Sequence, residues 1–374
     1  MPPADDSYAW VSLTRAQSLT TECLAPALQR FGSAAAIVAA SPGGRAAAGL
    51  PGTLERFLAE PEARPTVAER QWLADPHHHL IPFTAVGFPA LLRRIEPCPI
   101  ALYVDGRPDL LPAPQLAVVG SRNPTRQGLE HAYDFAKSLA EQGLTVTSGL
   151  AEGIDAAAHR GALSAGGLTV AVLGCGVDRM YPLMHRDLGR QIAGAGAIVS
   201  EFPLGWPARR AHFPQRNRII AALTLGTLVV EAAIRSGSLI TARHSAEQGR
   251  AVFALPGSIE NPLARGCHEL IKLGAKLTES PDDILRELDF RPFLPPSARP
   301  ESRGPGGSPG DAGMDNDHKI LLDALGFDPA DLDALVVRTG FKPEAVSSMM
   351  LILELEGYVQ AAPGGRYSRV ARSP

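Results

Sequence analysis

The chain has 374 residues, enough for two or three domains and a sizeable core. Hydrophobic residues make up 45% and charged residues 20%, an ordinary globular balance that excludes a wholly disordered chain. The net charge of −3 gives no global signal for a polyanionic partner, but the charge is uneven: residues 116–220 carry +3, residues 1–115 carry −2 and residues 311–374 carry −4.

Residues 7 to about 60 read as short helices. Tyr8–Leu13 and Leu24–Phe31 have apolar side chains at helical spacing, Gly32 is placed to end a helix, and Ser33 is placed to cap Ala34–Ala40. Helices joined by Gly-Ser turns suit either a helix-hairpin-helix DNA-binding unit or a small packing domain, and the acidic balance favours the latter. Ile100–Val104, followed by Asp105-Gly106, predicts a strand and a turn. His77-His78-His79 lacks partners at metal-ligand spacing and reads as a strand-edge loop.

From Leu116 to about Leu288, short β-rich runs alternate with helical stretches. Strands are expected at Leu116–Val119, Leu144–Thr147, Leu168–Leu173, Ala197–Ser200, Thr227–Val230, Ala251–Leu255 and Ala275–Leu277. Helices are expected at Leu129–Gln142, Ile154–Ala165, Arg218–Leu225, Ser238–Gln248 and Leu263–Leu273. Apolar strands alternating with helices predict an α/β fold, a doubly wound, mostly parallel sheet covered on both faces. Residues 291–313 are a Pro/Gly/Ser-rich linker. Beyond them, Asp317–Leu325, Asp331–Arg338 and Glu344–Glu354 predict three helices. A hairpin is expected at Tyr358–Gln360 and Arg366–Ser368, with its turn at Gly364-Gly365. That is a winged-helix outline, and its −4 charge suggests a protein-contact module or regulatory cap rather than a DNA reader.

Ligands of open α/β sheets bind beyond the carboxyl ends of the strands, so the loops there matter most. The first is Gly120-Ser121-Arg122-Asn123, where glycine permits close approach and arginine offers a fork to phosphate. It is not G-x-G-x-x-G, and no acid ends the second strand, which disfavours a dinucleotide cofactor. Arg209–Arg218 (RRAHFPQRNR) holds four arginines and Phe213, a combination of phosphate forks and a stacking ring that suits single-stranded nucleic acid. A solvated basic loop is the bland alternative. Ser236-Gly237-Ser238, ahead of a helix, is a second candidate anion cradle. Glu152, Asp155 and Glu231 could do acid–base work, but such carboxylates more often cap helices or hold arginines. Walker, zincin and nucleophile-elbow motifs are missing. Cys23, Cys98, Cys175 and Cys267 are widely spaced, and neither a leader nor a membrane-spanning stretch is visible. A cytoplasmic protein is expected.

Several motifs occur in one order: Gly120-Ser121-Arg122, Ser148-Gly149-x-Ala151-x-Gly153-Ile154-Asp155, Tyr181-Pro182, Ser200-Glu201-Phe202-Pro203, His212-Phe213-Pro214-x-Arg216-Asn217-Arg218, Ser236-Gly237-Ser238-Leu239-Ile240-Thr241 and Pro256-Gly257-Ser258. The set resembles the DNA-processing protein A family (DprA, also called Smf), densely over about residues 80–290. The resemblance implies three parts: a helical domain at 1–70, an extended Rossmann-like core at 71–290 and, after the linker, a winged helix at 314–374. It implies a non-enzymatic, cofactor-free homodimer that binds incoming single-stranded DNA during natural transformation and loads the RecA recombinase onto it. Gly120, Ser121, Arg122, Gly149, Phe213, Arg216, Asn217, Arg218, Ser236, Gly237 and Ser238 would then form the DNA site. Arg186 stands in for a basic residue that other members carry in the loop after Tyr181-Pro182. The competing reading is a nucleotide phosphoribohydrolase of the lysine decarboxylase-like kind, although its double-glycine phosphate loop is missing. A NAD-binding oxidoreductase is a weaker third.

Overall fold

The computed structural model describes residues 4–16, 18–290, 316–325, 329–362 and 365–370. The expected linker and Gly364 of the expected hairpin turn lie outside them. Contacts divide the chain into one compact unit ending at Leu294 and a second from Pro295.

Among the described residues, six α-helices open the first unit: α1 (Ala4–Arg15), α2 (Thr21–Phe31), α3 (Ala34–Ala39), α4 (Pro42–Ala46), α5 (Gly52–Ala59) and α6 (Val67–Ala74). Gly32 ends α2 in the left-handed conformation at φ +86°, and the Ser33 hydroxyl accepts the Ala36 N–H to start α3, both as the sequence predicts. These helices share a core with the sheet. Trp10 meets Phe83 edge-on, and Thr14 Oγ1 lies 2.7 Å from the buried Tyr103 hydroxyl. The expected boundary near residue 70 therefore falls inside one compact unit.

The sheet follows: β1 (His78–Pro82), β2 (Ala101–Gly106), β3 (Gln115–Val119), α7 (Arg126–Glu141), β4 (Thr145–Ser148), α8 (Ile154–Ser164), β5 (Thr169–Val172), α9 (Arg186–Ala195) and β6 (Ala197–Ser200). It continues with α10 (His212–Leu223), β7 (Gly226–Val229), α11 (Ser238–Glu247), β8 (Ala251–Ala254), α12 (Arg265–Lys272), β9 (Lys276–Leu277) and α13 (Pro281–Glu287). Nine strands lie in the order β1-β2-β6-β5-β4-β3-β7-β8-β9. Strands β3 to β9 run parallel, while β2 is antiparallel to β1 and β6. All seven expected core strands form, because runs such as Gln115–Val119 are buried on both faces. His78 and His79 belong to a strand instead of the expected loop. They pair with Asp105 and Val104 of β2.

Helix α7 illustrates the covering layers. The Thr125 hydroxyl caps it by accepting the Gly128 N–H, and Ala132, Phe135, Ala136, Leu139 and Ala140 form one buried stripe at helical spacing. Burial of each large side chain in that stripe stabilises by about 1.5–3 kcal/mol. Strand order reverses between β3 and β7, which makes their carboxyl ends the topological switch point. Among the described residues, no helix is long and apolar enough to cross a membrane.

The second unit contains α14 (Asn316–Leu325), β10 (Ala330–Asp331), α15 (Leu332–Thr339), α16 (Pro343–Leu355), β11 (Val359–Ala362) and β12 (Arg366–Arg369). Its sheet order is β10-β12-β11, and Leu321, Leu325, Leu335, Val346, Met350 and Leu353 form its core. This is the winged helix that the sequence predicts. Gly340, at φ +70°, ends α15 before the third helix.

Candidate nucleic-acid interface

A cleft of about 790 Å³ opens at the switch point. One wall is Gly120-Ser121-Arg122-Asn123 after β3, and the other is Ala233 to Thr241 after β7. The first turns of α10 form the floor. Among the described residues, four arginines line the cleft, Arg122, Arg210, Arg216 and Arg235, against one carboxylate, Asp155. A second groove, of about 1080 Å³, is balanced: Arg94, Arg218 and Arg250 face Glu96, Glu247 and Glu287. Only the first suits a polyanion.

The loop after β3 is set by its neighbours. Ser121 accepts the Asn123 N–H on its hydroxyl and the Ile154 N–H on its carbonyl, which ties the loop to α8. Gly153 sits at φ +77°, where a Cβ would also meet the Ser121 carbonyl oxygen. Arg122 is left exposed, with its guanidinium 5.4 Å from the centre of the Phe213 ring. Phe213 in turn lies 5.7 Å from the half-exposed Tyr181 ring, at 45°. It faces the cleft because its neighbour His212 points inward. His212 stacks on Phe202 at 4.2 Å and bonds the Gly174 carbonyl through Nδ1.

Beneath this surface lies a buried charged layer. Asp155 accepts the Gly149 and Ala151 N–H groups. Arg216 Nη1 donates to the carbonyls of Gly149 and Val172. Burial pushes the Asp155 carboxyl up, with Arg216 pulling it back. Burial also pushes Arg216 down to about 10, opposed by Asp155. Gly149 is required for close approach: a Cβ there would lie 2.6 Å from Arg216 Cζ. On the far wall, the Ser236 and Ser238 hydroxyls are 2.7 Å apart, and Asn217 Nδ2 donates to the Gly237 carbonyl. Helix α11 begins there, so the positive end of its dipole faces the cleft.

Comparison with known proteins shows the family. The family model for DNA recombination-mediator protein A matches residues 79–289, and that for the DprA winged helix domain matches residues 296–365. The chain belongs to the DNA recombination-mediator protein A family. Protein Smf of Escherichia coli is 43% identical over 320 residues, which is 85% of this chain and 84% of that protein. The DNA processing protein DprA of Streptococcus pneumoniae is 46% identical over 203 residues, 54% of this chain and 72% of that one. A crystal structure of DprA from Streptococcus pneumoniae covers 77% of this chain and 99% of its own, at 35% identity and a TM-score of 0.66. DNA processing protein A from Helicobacter pylori, whose structure was described for its single-stranded DNA binding mode, covers 56% of this chain and 95% of its own. Its identity is 27% and its TM-score is 0.52.

Of the family residues expected at the site, Gly120, Ser121, Arg122, Phe213, Arg216, Asn217, Ser236, Gly237 and Ser238 line the cleft. Gly149 lies under it, against Arg216. Arg218 does not line it. Its Nη1 donates to the Pro97 carbonyl and its Nη2 bonds the buried Glu201, so this arginine faces the balanced groove. The cause is the start of α10 at His212, six residues before the expected start. Arg216 and Arg218 therefore fall in the helix body and turn inward, instead of standing at its rim. Arg186 is exposed at the first turn of α9 and is also outside the cleft lining.

Glu231 is no free base either: it accepts the Thr125 N–H and hydroxyl and so anchors the start of α7. Among the lining residues that the sequence reading left out of the site, Arg210, Arg235 and Tyr181 carry chemistry that suits a nucleic acid. A signal existed for each. Arg210 and Tyr181 belong to the quoted runs, and Arg235 lies in the loop between the switch-point strand β7 and α11, immediately before Ser236-Gly237-Ser238.

Proposed function

We propose that this chain is a recombination mediator that binds single-stranded DNA in the switch-point cleft and does no covalent chemistry. The observation that carries the reading is the alignment of three features on one surface: the exposed forks of Arg122, Arg210 and Arg235, the Phe213–Tyr181 ring pair, and the start of α11. Guanidinium forks suit phosphates, rings suit unstacked bases, and Watson–Crick pairing in a duplex would hide those bases from the rings. The single-stranded DNA binding described for the Helicobacter pylori relative supports the same reading. RecA loading and homodimer formation, implied by the family, belong to this proposal.

A nucleotide phosphoribohydrolase needs a free carboxylate in the cleft. Here Asp155 is buried against backbone N–H groups and Glu231 is committed to Thr125, which counts against that enzyme. A NAD enzyme needs an acid at the end of β4, where this chain has Ser148, bonded to the Val118 carbonyl. The test has two arms. Labelled oligo-dT should shift in a gel with duplex DNA as a poor competitor, and incubation with AMP should release no ribose 5-phosphate. Release of the sugar phosphate without DNA binding would reverse the assignment.

A further inference from the structure

The chain between β5 and α9 leaves the cleft carrying two large apolar side chains into solvent. Tyr181 lines the cleft and its ring meets Phe213, and a single short turn, Leu183–His185, follows. Leu183 is 73% exposed and Met184 is 72% exposed. Consecutive Cα atoms are 3.8 Å apart, so both residues lie within about 11 Å of Tyr181. The loop is firmly held. The buried His185 bonds the Leu150 carbonyl through Nδ1 at 3.0 Å, Asp178 accepts the Gly205 N–H, and the Cys175 thiol donates to the Arg179 carbonyl. With His185 turned inward, the two residues before it are left outside.

The surroundings of this pair decide what can cover it. Arg179, Arg186 and Arg190 stand against Asp178, Asp187 and Glu152, the last on the loop after β4 that His185 holds. Arg179 pairs with Asp178, and Arg190 pairs with Asp187. The charges cancel, so this stretch adds no pull on a phosphate backbone. Two side chains fall far short of the roughly 800 Å² that each protein partner gives to a standard interface. A duplex keeps its bases stacked and paired, away from such a surface. Unstacked bases suit it: leucine and methionine are among the apolar side chains that insert between base steps, and a thioether is attracted to aromatic rings. The Phe213–Tyr181 ring pair already faces the cleft, and Leu183 and Met184 continue from it outside the cleft lining.

We propose that Leu183 and Met184 form a base ledge, a second subsite for single-stranded DNA beyond the cleft. Bases that follow those in the cleft lie on the two apolar side chains, and their phosphates stay in solvent. The inference rests on the reading of the cleft as the single-strand site. It divides the work in two: the cleft supplies a salt-dependent hold, and the ledge supplies a salt-independent increment that only strands long enough to leave the cleft can gain.

The test uses the full-length protein and fluorescein-labelled oligo-dT of increasing length. Leu183→Ser combined with Met184→Ser should leave the affinity for the shortest strands that bind unchanged. On longer strands it should cost about fivefold or more, the scale of one methionine–ring contact and a covered leucine. Both side chains are exposed, so the thermal melt should not move. The exchange Leu183→Met with Met184→Leu keeps an apolar ledge and should bind as wild type does. The slope of log K against log salt should be equal for wild type and the serine variant, because no phosphate contact is lost. Abasic spacers in the part of a long strand beyond the cleft should remove the gain from wild type and change nothing for the serine variant. Equal affinities of wild type and the serine variant at every length, or a shallower salt slope in that variant, would overturn the ledge while leaving the cleft in place. Loss of self-association in the serine variant would also overturn it, by assigning the pair to a second copy. A wild type that binds no oligo-dT of any length would instead remove the cleft reading, and the ledge with it.

Discussion

The Arg122 guanidinium lies over the Phe213 ring, 5.4 Å from its centroid, although the two residues come from the β3 loop and the first turn of α10. This contact joins a phosphate fork to a stacking surface and defines where a nucleotide would sit. Attraction between cation and ring holds Arg122 extended over the cleft instead of free in solvent. Beneath them, Asp155 and Arg216 fix the loop after β4, and the Ser121 carbonyl ties the Arg122 loop to the Ile154 N–H at the start of α8.

Phe213→Ala should weaken binding to oligo-dT by about tenfold, within the roughly 1–3 kcal/mol that one base–aromatic stack contributes. The ring is partly exposed, and the neighbouring His212 keeps its stack on Phe202, so the fold should persist. Equilibrium titration beside a thermal melt checks both statements. A normal melt with unchanged affinity would remove the ring from the site.

Arg218→Ala should behave in the opposite way. The side chain is buried against Glu201 and the Pro97 carbonyl, and removing one partner of a buried pair costs about 3–5 kcal/mol of stability. The variant should melt earlier, while the affinity of the remaining folded protein for single strands changes less than about threefold. Arg218→Met combined with Glu201→Leu should recover part of the lost stability, because both desolvated charges leave together. A normal melting temperature with a large loss of affinity would place Arg218 in the DNA site.

Stability should fall in mild acid because of His159. Its Nδ1 meets Thr169 Oγ1, whose own proton goes to the Val146 carbonyl, so Nδ1 carries the hydrogen and the buried Nε2 has no partner. Burial pushes the ring from 6.5 down to about 3. Between those values the unfolded chain takes up a proton that the folded chain refuses. The contribution of the neutral ring is therefore full above about pH 6.5. It declines by about 1.4 kcal/mol per pH unit as the pH falls towards 3. Urea melts at pH 7 and pH 5 should show a loss about 2 kcal/mol smaller for His159→Gln than for wild type. Equal losses would contradict the assignment.

The fold was legible where burial dictates residue type. Gln115–Val119 and Ala197–Ser200 are buried strands, written as apolar runs between turn signals. Strand β1 was not legible, because as an edge strand it begins with two histidines in place of an apolar run. The site was legible at the loop level and less so at the side-chain level. Sequence spacing put Arg216, Asn217 and Arg218 together, but the earlier start of α10 points Arg216 beneath the cleft and Arg218 to another groove. Arginine in a basic run reads as exposed. Only the backbone carbonyls of Gly149, Val172 and Pro97, which the sequence does not advertise, reveal these two as internal struts.

Deleting residues 311–374 should leave the affinity for single-stranded DNA within about threefold, or roughly 0.65 kcal/mol. The deleted segment carries −4, so no positive surface is lost, and the compact unit that contains the cleft ends at Leu294. Binding measured on the folded truncation checks this. A tenfold loss would assign the winged helix a direct part in holding the strand.

The central claim is that single-stranded DNA occupies the cleft beside Arg122, and one titration tests it most directly. Fluorescence anisotropy of labelled oligo-dT would be measured over a salt series for wild type and Arg122→Ala. Loss of one charge-assisted phosphate contact should weaken binding about ten- to a hundredfold, or on the order of 1.5–3 kcal/mol, in a protein that melts normally. With about three phosphates neutralised by the exposed Arg122, Arg210 and Arg235, the wild-type plot of log K against log salt should have a slope near −2, and the variant should be shallower by about 0.7. Equal affinities and equal slopes for the two folded proteins would contradict the account.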